Sequence, residues 1–392
     1  MRGLEVRRQD AVTQGRRRNG AARVAAVSVG VLFLFTTTMA AASNLSTKAA
    51  QMAPGTFAEL TATTGFNNGA VLNPPGCTRG DVITQFANKA VWNPITKRFQ
   101  FSGSPHAPCS GTNEMAIFYD DATNSWGQLP TPPNSKNDPR HSYDHNTLNP
   151  ATGEHYYTYY NSTNLVRLSS DGSTWTTLAS RGGNAQCCRA QAWFPDLSGG
   201  RLIHYDGDWG IRAYNPATNS WTQLSRGNGA DGTNLPQFSA DPYQVFAHYS
   251  PLCQCVVFGG GVGFYKLNSN GSFTTLSKSG APNGGQFRIG PGGTSIVTEP
   301  VTGVLLFING TTMAEFNPVG TGSWRTVSVA VPSFFTQGDS TAESLISAPI
   351  STYGVVMYVK HDDAGTGHVY LYKHAPSAPQ ATPGAPINVI AR

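Results

Sequence analysis

Beyond residue 43, apolar positions recur in short runs of period two, and no long stretch carries the three-to-four spacing of an amphipathic helix. The clearest runs are Arg98-Phe99-Gln100-Phe101, His155-Tyr156-Tyr157-Thr158, Arg201-Leu202-Ile203-His204, Val256-Val257-Phe258, Val304-Leu305-Leu306-Phe307 and Val355-Val356-Met357-Tyr358. Each predicts a half- or fully buried strand. A proline precedes every one of them: Pro94, Pro150, Pro195, Pro251, Pro300 and Pro349. In turns such as Asn149-Pro150-Ala151-Thr152-Gly153, proline presets φ and glycine accepts φ > 0, so hairpin connections are expected at all six.

A second marker falls between these turns. Residues Tyr119-Asp120-Asp121-Ala122-Thr123-Asn124-Ser125-Trp126 and Tyr214-Asn215-Pro216-Ala217-Thr218-Asn219-Ser220-Trp221 share one pattern: a strand end, a polar turn, and an aromatic opening the next strand. Trp175, Phe273, Trp324 and, near the start, Phe57 occupy the same position in weaker copies. The bland role of these aromatics, filling the space between neighbouring sheets, is the expected one. Successive prolines stand 45 to 56 residues apart, which is room for four strands per repeat. The last repeat supplies three strands and then stops, whereas residues 57–61 form a strand with no repeat before it. Joining the two closes a ring without an open edge. The fold class is therefore all-β, a six-bladed β-propeller closed by an N-terminal strand. Seven blades is the alternative, disfavoured because residues 63–79 lack another blade's strand pattern.

The Tyr-Asp/Asn-x-x-Thr-Asn-x-Trp pattern resembles the kelch repeat found in the propeller domain of galactose oxidase relatives. The resemblance spans the chain from residue 43 to about residue 373. It departs from kelch in its glycines, since the kelch double glycine occurs only at Phe258-Gly259-Gly260-Gly261, and galactose oxidase has seven blades. The resemblance thus implies a fold more firmly than a chemistry.

Both ends differ from the repeats. The first 42 residues are arginine-rich, then apolar over 25–35, then small, which is the three-part pattern of a secretory signal peptide. Its apolar run is shorter than the ~20 residues of a spanning helix. The expected location is secreted, extracellular or periplasmic, with no membrane insertion after cleavage. Removing that segment's seven arginines, Glu5 and Asp10 from the totals of 27 and 22 leaves 20 basic and 20 acidic residues. The basic pI thus belongs to the leader, and nucleic acid is not an expected partner. Residues 377–392 read as a Pro-rich linker, either a tail or the approach to a fibronectin type III module. The six cysteines, Cys77, Cys109, Cys187, Cys188, Cys253 and Cys255, read as disulfides in an exported chain, with the pairing open.

In a propeller the loops leading into the innermost strands converge on one mouth of the central channel, and ligands are expected there. Counting five and six residues back from each proline places Asn88, Lys89, Asp144, His145, Arg189 and Glu343 at that mouth. The loops between second and third strands add His106, Tyr160, Tyr205, Asp206, Trp209 and His361, and Tyr143 and His141 precede Asp144. Blades four and five contribute little polarity. Tyrosine, tryptophan, arginine, aspartate and histidine together suit a sugar: aromatics for ring faces, charges and amides for hydroxyls and carboxylates. His155, at the far end of its strand, is expected at the surface.

Three functions fit. The first is a monomeric recognition module for an extracellular glycan or protein ligand. The second is a polysaccharide lyase acting by β-elimination on uronic-acid glycans, with His145 and Tyr143 as base and acid, Arg189 neutralising the carboxylate, and His106 in support. The third, implied only by the galactose oxidase resemblance, is a copper radical oxidase, for which no local pattern ties the histidines and tyrosines together. No cofactor is otherwise implied.

Overall fold

The computed structural model describes residues 44–61, 63–66, 71–72, 82–105, 114–133, 141–183, 188–206, 210–227, 245–287, 294–336, 345–361 and 367–375. Six four-stranded antiparallel sheets follow one another, each running from an inner to an outer strand. Blade 1 comprises Val91–Asn93, Arg98–Gly103, Met115–Asp120 and Ser125–Leu129. Blade 2 comprises Asn146–Asn149, Glu154–Thr158, Leu165–Leu168 and Trp175–Thr177. Blade 3 comprises Arg189–Phe194, Arg201–Asp206, Gly210–Asn215 and Ser220–Gln223. Blade 4 comprises Phe246–Ser250, Cys255–Gly260, Gly263–Asn268 and Phe273–Thr275. Blade 5 comprises Thr294–Thr298, Leu305–Asn309, Thr312–Asn317 and Ser323–Val327.

Blade 6 closes the ring. Its inner strands Ile346–Ile350, Val355–His361 and Gly367–Lys373 lack an outer partner from their own repeat, and Thr56–Glu59 supplies it, with Phe57 opposite Tyr372 and Ala58 opposite Leu371. Phe57 packs on Tyr372 at 4.6 Å, so the closing strand is held by side chains as well as by its ladder. Ahead of it a helix, Asn44–Gln51, buries Leu45 and Ala49 in the core shared by blades 6 and 1, an element the strand pattern did not announce.

The repeated motif now has a physical account. Asn124 and Asn219 adopt φ of 51° and 49° at the turn before the outer strand, a conformation asparagine tolerates better than most residues. Tyr119 and Tyr214 hold them there, each hydroxyl donating to the asparagine Oδ1 at 2.8 Å. The outer-strand tryptophans reach back one blade: Trp175 Nε1 donates to Pro130 O at 2.7 Å, Trp221 to Ala179 O at 2.8 Å, and Trp324 to Ser277 O at 2.9 Å. One residue type therefore fills the gap between sheets and latches it.

Two expectations need correction. Pro349 does not sit in a turn; it lies within the inner strand opposite Val356. A proline is tolerated there because an inner strand has one unpaired edge and needs no donor on it. The turn of blade 6 falls at residues 351–354, so counting back from Pro349 shifted that blade by two. His155 is fully buried, not superficial. Its Nε2 lies 2.9 Å from Asn146 Oδ1, and burial pushes its pKa down to about 3, leaving a neutral ring.

Candidate functional site

At mid-channel, polar groups from every blade cross the axis. Lys89 donates to Asp144 Oδ2 at 2.7 Å, to Gln191 O at 2.5 Å and to Ala247 O at 2.5 Å, which uses all three ammonium hydrogens. Asp144 also accepts from Ala247 N at 2.7 Å and from Asn88 Nδ2 at 3.0 Å. Asn88 in turn accepts from Ile296 N at 3.0 Å, and its backbone oxygen accepts from Ser347 N at 2.9 Å. Blades 1 and 2 supply the ion pair, blades 3 and 4 supply backbone to it, and blades 5 and 6 supply backbone to Asn88. Burial lowers the Lys89 pKa and raises that of Asp144, and their mutual contact works against both shifts. This network is a plug that divides the channel into an upper and a lower part.

Above the plug, at the mouth of blades 1 to 3, lies a group of strained residues. Phe86, His141, Tyr143 and Asn161 have φ of 52°, 45°, 23° and 46°. Non-glycine residues held in this region cost energy that the surroundings must supply, and such residues concentrate where function demands a particular side-chain placement. His141 Nδ1 is hydrogen-bonded to the Tyr143 hydroxyl. Phe86 stacks on the His141 ring at 4.4 Å, and Tyr160 meets it edge-on at 5.5 Å. Tyr160 is half-buried and Asn161 exposed, so the cluster reaches solvent.

Behind it the chemistry turns cationic. Arg189, fully buried, donates through Nη1 to Tyr159 O at 2.9 Å, and its Nε lies 3.8 Å from Asp206 Oδ2. Arg181 Nη2 lies 3.3 Å from the same oxygen. Burial first, then Arg181, pushes the Arg189 pKa down to about 9. His145 accepts from the Arg189 backbone N–H through Nε2 at 3.2 Å, and burial together with Arg189 holds its pKa well below the ordinary histidine value. It is thus a neutral, hydrogen-bond-accepting ring. Glu114 accepts from the Tyr157 hydroxyl at 3.1 Å, and burial raises its pKa to about 8, so a carboxylic acid sits protonated at neutral pH beneath this wall.

The residues singled out in the sequence therefore divide. Tyr143, His145, Arg189, Tyr160 and Asp206 come together on blades 2 and 3. Asn88, Lys89 and Asp144 form the plug. Tyr205 is fully buried and packs on Phe258 at 5.0 Å, between blades 3 and 4. His361 ends the second strand of blade 6, 2% exposed. His106, Trp209 and Glu343 lie outside the described residues, as do 1–43 and 376–392. Sequence reasoning missed Phe86, Glu114 and Arg181, which precede a strand or sit in a loop where no period marks them. It named His145, Tyr143 and Arg189 together for the lyase reading; the Tyr143 hydroxyl is hydrogen-bonded to His141 Nδ1. Of the cysteines, Cys253 and Cys255 are bonded to each other across the blade 4 turn, and Cys188 is also in a disulfide.

No family model matches the chain, and no curated protein matches it. Solved structures that resemble it include a structural genomics protein of unknown function from Bacteroides thetaiotaomicron, at 12% identity and TM-score 0.49 over 81% of this chain and 75% of that one. A streptogramin B lyase aligns at 11% identity and TM-score 0.41 over 80% and 96%. TolB from Acinetobacter baumannii aligns at 10% and 0.35 over 72% of this chain and 53% of TolB. At such values the six-blade closure rests on the chain's own hydrogen bonds. Among the described residues no helix is long and apolar enough to cross a membrane.

Proposed function

We propose that the chain is an exported, kelch-like propeller that binds an acidic glycan at the mouth of blades 1 to 3. The observation that carries this reading is the His141–Tyr143 pair, held on left-handed backbone beside the faces of Phe86 and Tyr160. Aromatic faces take sugar rings, the imidazole and phenol take hydroxyls, and the guanidinium groups of Arg181 and Arg189 supply a positive field for a carboxylate. The arginine-rich and apolar leader supports export, and the Tyr-to-Trp turn motif supports the kelch likeness. A glycan array rich in uronic-acid polysaccharides tests the reading. Saturable binding to acidic glycans that falls about tenfold, some 1.4 kcal/mol, in Tyr143→Phe and His141→Gln is expected; equal binding by both variants would exclude this mouth.

One observation favours a catalytic second reading. Once the Tyr143 hydroxyl has given its proton to the His141 ring, its phenolate oxygen can take the proton next to a uronate carboxylate; the bond to the leaving sugar oxygen breaks, that oxygen takes this proton from Tyr143, and His141 returns the phenol proton. The product carries a carbon–carbon double bond conjugated to its carboxylate. Ultraviolet absorbance during incubation with uronic-acid polymers separates the two readings, since a pure binding module generates no signal.

A further inference from the structure

Below the plug the channel opens into a cavity of about 270 Å³ that faces the opposite mouth from the proposed glycan site. Its rim carries Pro150, Pro195, Pro251 and Pro300, and its walls include Trp92, Trp193, Leu148 and Val297. Four titratable groups line it: Lys89, His248, Tyr249, whose hydroxyl donates to Asp196 Oδ2 at 2.6 Å, and Glu299. The charge of Lys89 is spent on Asp144 and two carbonyls, and Glu299 accepts from Val301 N at 3.0 Å and from both the N–H and hydroxyl of Thr302. Lys89 thus has no hydrogen left to donate, and Glu299 Oε2 already takes three donors. His248 is different. It is 6% exposed, among the described residues its Nε2 has no hydrogen-bond partner, and Asp144 Oδ1 lies 3.8 Å away, beyond bonding distance. A mostly apolar wall holds water poorly, whereas two of its lining residues carry an unsatisfied polar atom, His248 Nε2 and Gln191 Oε1, which favours a polar group on the ligand.

We propose that this lower chamber is a second binding site, for a small uncharged alcohol with a compact apolar body, its hydroxyl toward His248. An anion would find no hydrogen left on Lys89, and a cation would meet Glu299 Oε2 already bonded to three donors in a largely apolar cavity, so either ion would lose hydration with little compensation. The site is independent of the glycan reading, because its lining contains none of Phe86, His141, Tyr143, Tyr160, Arg181 or Arg189.

Cyclohexanol, cyclohexanecarboxylate and cyclohexylammonium, titrated against the whole chain and followed by tryptophan fluorescence through Trp92 and Trp193, test it. Saturable binding of the alcohol, about tenfold tighter than of either ion, is expected. Thr147→Phe, which fills the chamber, should abolish it with the circular dichroism spectrum retained. Should that variant not fold, His248→Phe keeps the ring and removes the polar partner, and the alcohol should then bind no better than methylcyclohexane. Tyr143→Phe, on the far side of the plug, should leave the affinity unchanged. Absence of saturation, equal affinity for an ion, or undiminished binding in the folded chamber variants would overturn the proposal.

Discussion

Blades 2 and 3 share a backbone plan with blades 4 and 5 but fill it oppositely. Around blades 2 and 3, Asp144, His145, Arg181, Arg189, His204 and Asp206 are all 5% exposed or less. Between blades 4 and 5 the corresponding space holds Phe246, Phe264, Phe287, Phe307, Phe316 and Trp324, with Phe264 4.7 Å from Phe287 and from Phe316. Buried charges are poor sources of stability and often cost more than hydrophobic groups of the same volume, whereas packed aromatics contribute strongly. One side of the ring therefore stabilises the fold, and the other carries polarity that stability does not require. The ring joins them, so that the first can tolerate the second.

That contrast can be tested at four strengths. The largest effect belongs to Asp144→Ala, which strands the buried Lys89 ammonium and releases Ala247 N and Asn88; a loss of about 3–5 kcal/mol in denaturant unfolding is expected. The double replacement Lys89→Met with Asp144→Leu should recover most of it, and failure to recover would mean that the plug is a net stabiliser. Phe264→Ala should also cost about 3–5 kcal/mol, yet leave glycan affinity per folded molecule unchanged. An equal loss of affinity there would erase the division between the two sides.

Next comes Glu114. Its folded pKa of about 8 stands above the ordinary 4.5, so the folded state binds more protons and stability declines as pH rises between those values. Glu114→Gln removes the decline. Its advantage over the parent should be absent below pH 4.5, grow through the window and level off above pH 8 at a few kcal/mol, about 1.4 per pKa unit. Melting curves at several pH values check this, and parallel profiles would refute it. The smallest effect on stability is expected of Tyr143→Phe, which removes one hydrogen bond worth about 1 kcal/mol. Its consequence should show in binding instead, and a large thermal shift with intact binding would make the strained pair a structural device.

Much of the architecture was legible before any coordinates. Period-two runs, proline turns and the Tyr-to-Trp motif marked four strands per repeat. The unmatched halves at 57–61 and 368–372 announced the closing strand, because a sheet edge without a partner is a chemical deficit readable in one dimension. Local rules determine which residues pair along a strand and where a turn must be. They do not determine what meets across a channel. That Lys89 spends its charge on Asp144 and two carbonyls, that His141 rather than His145 is bonded to Tyr143, and that a chamber lies below the plug all depend on distances between blades far apart in sequence. Those distances exist only once the ring is closed, and so tertiary structure alone decided which of the polar residues at the mouth were committed to holding the blades together.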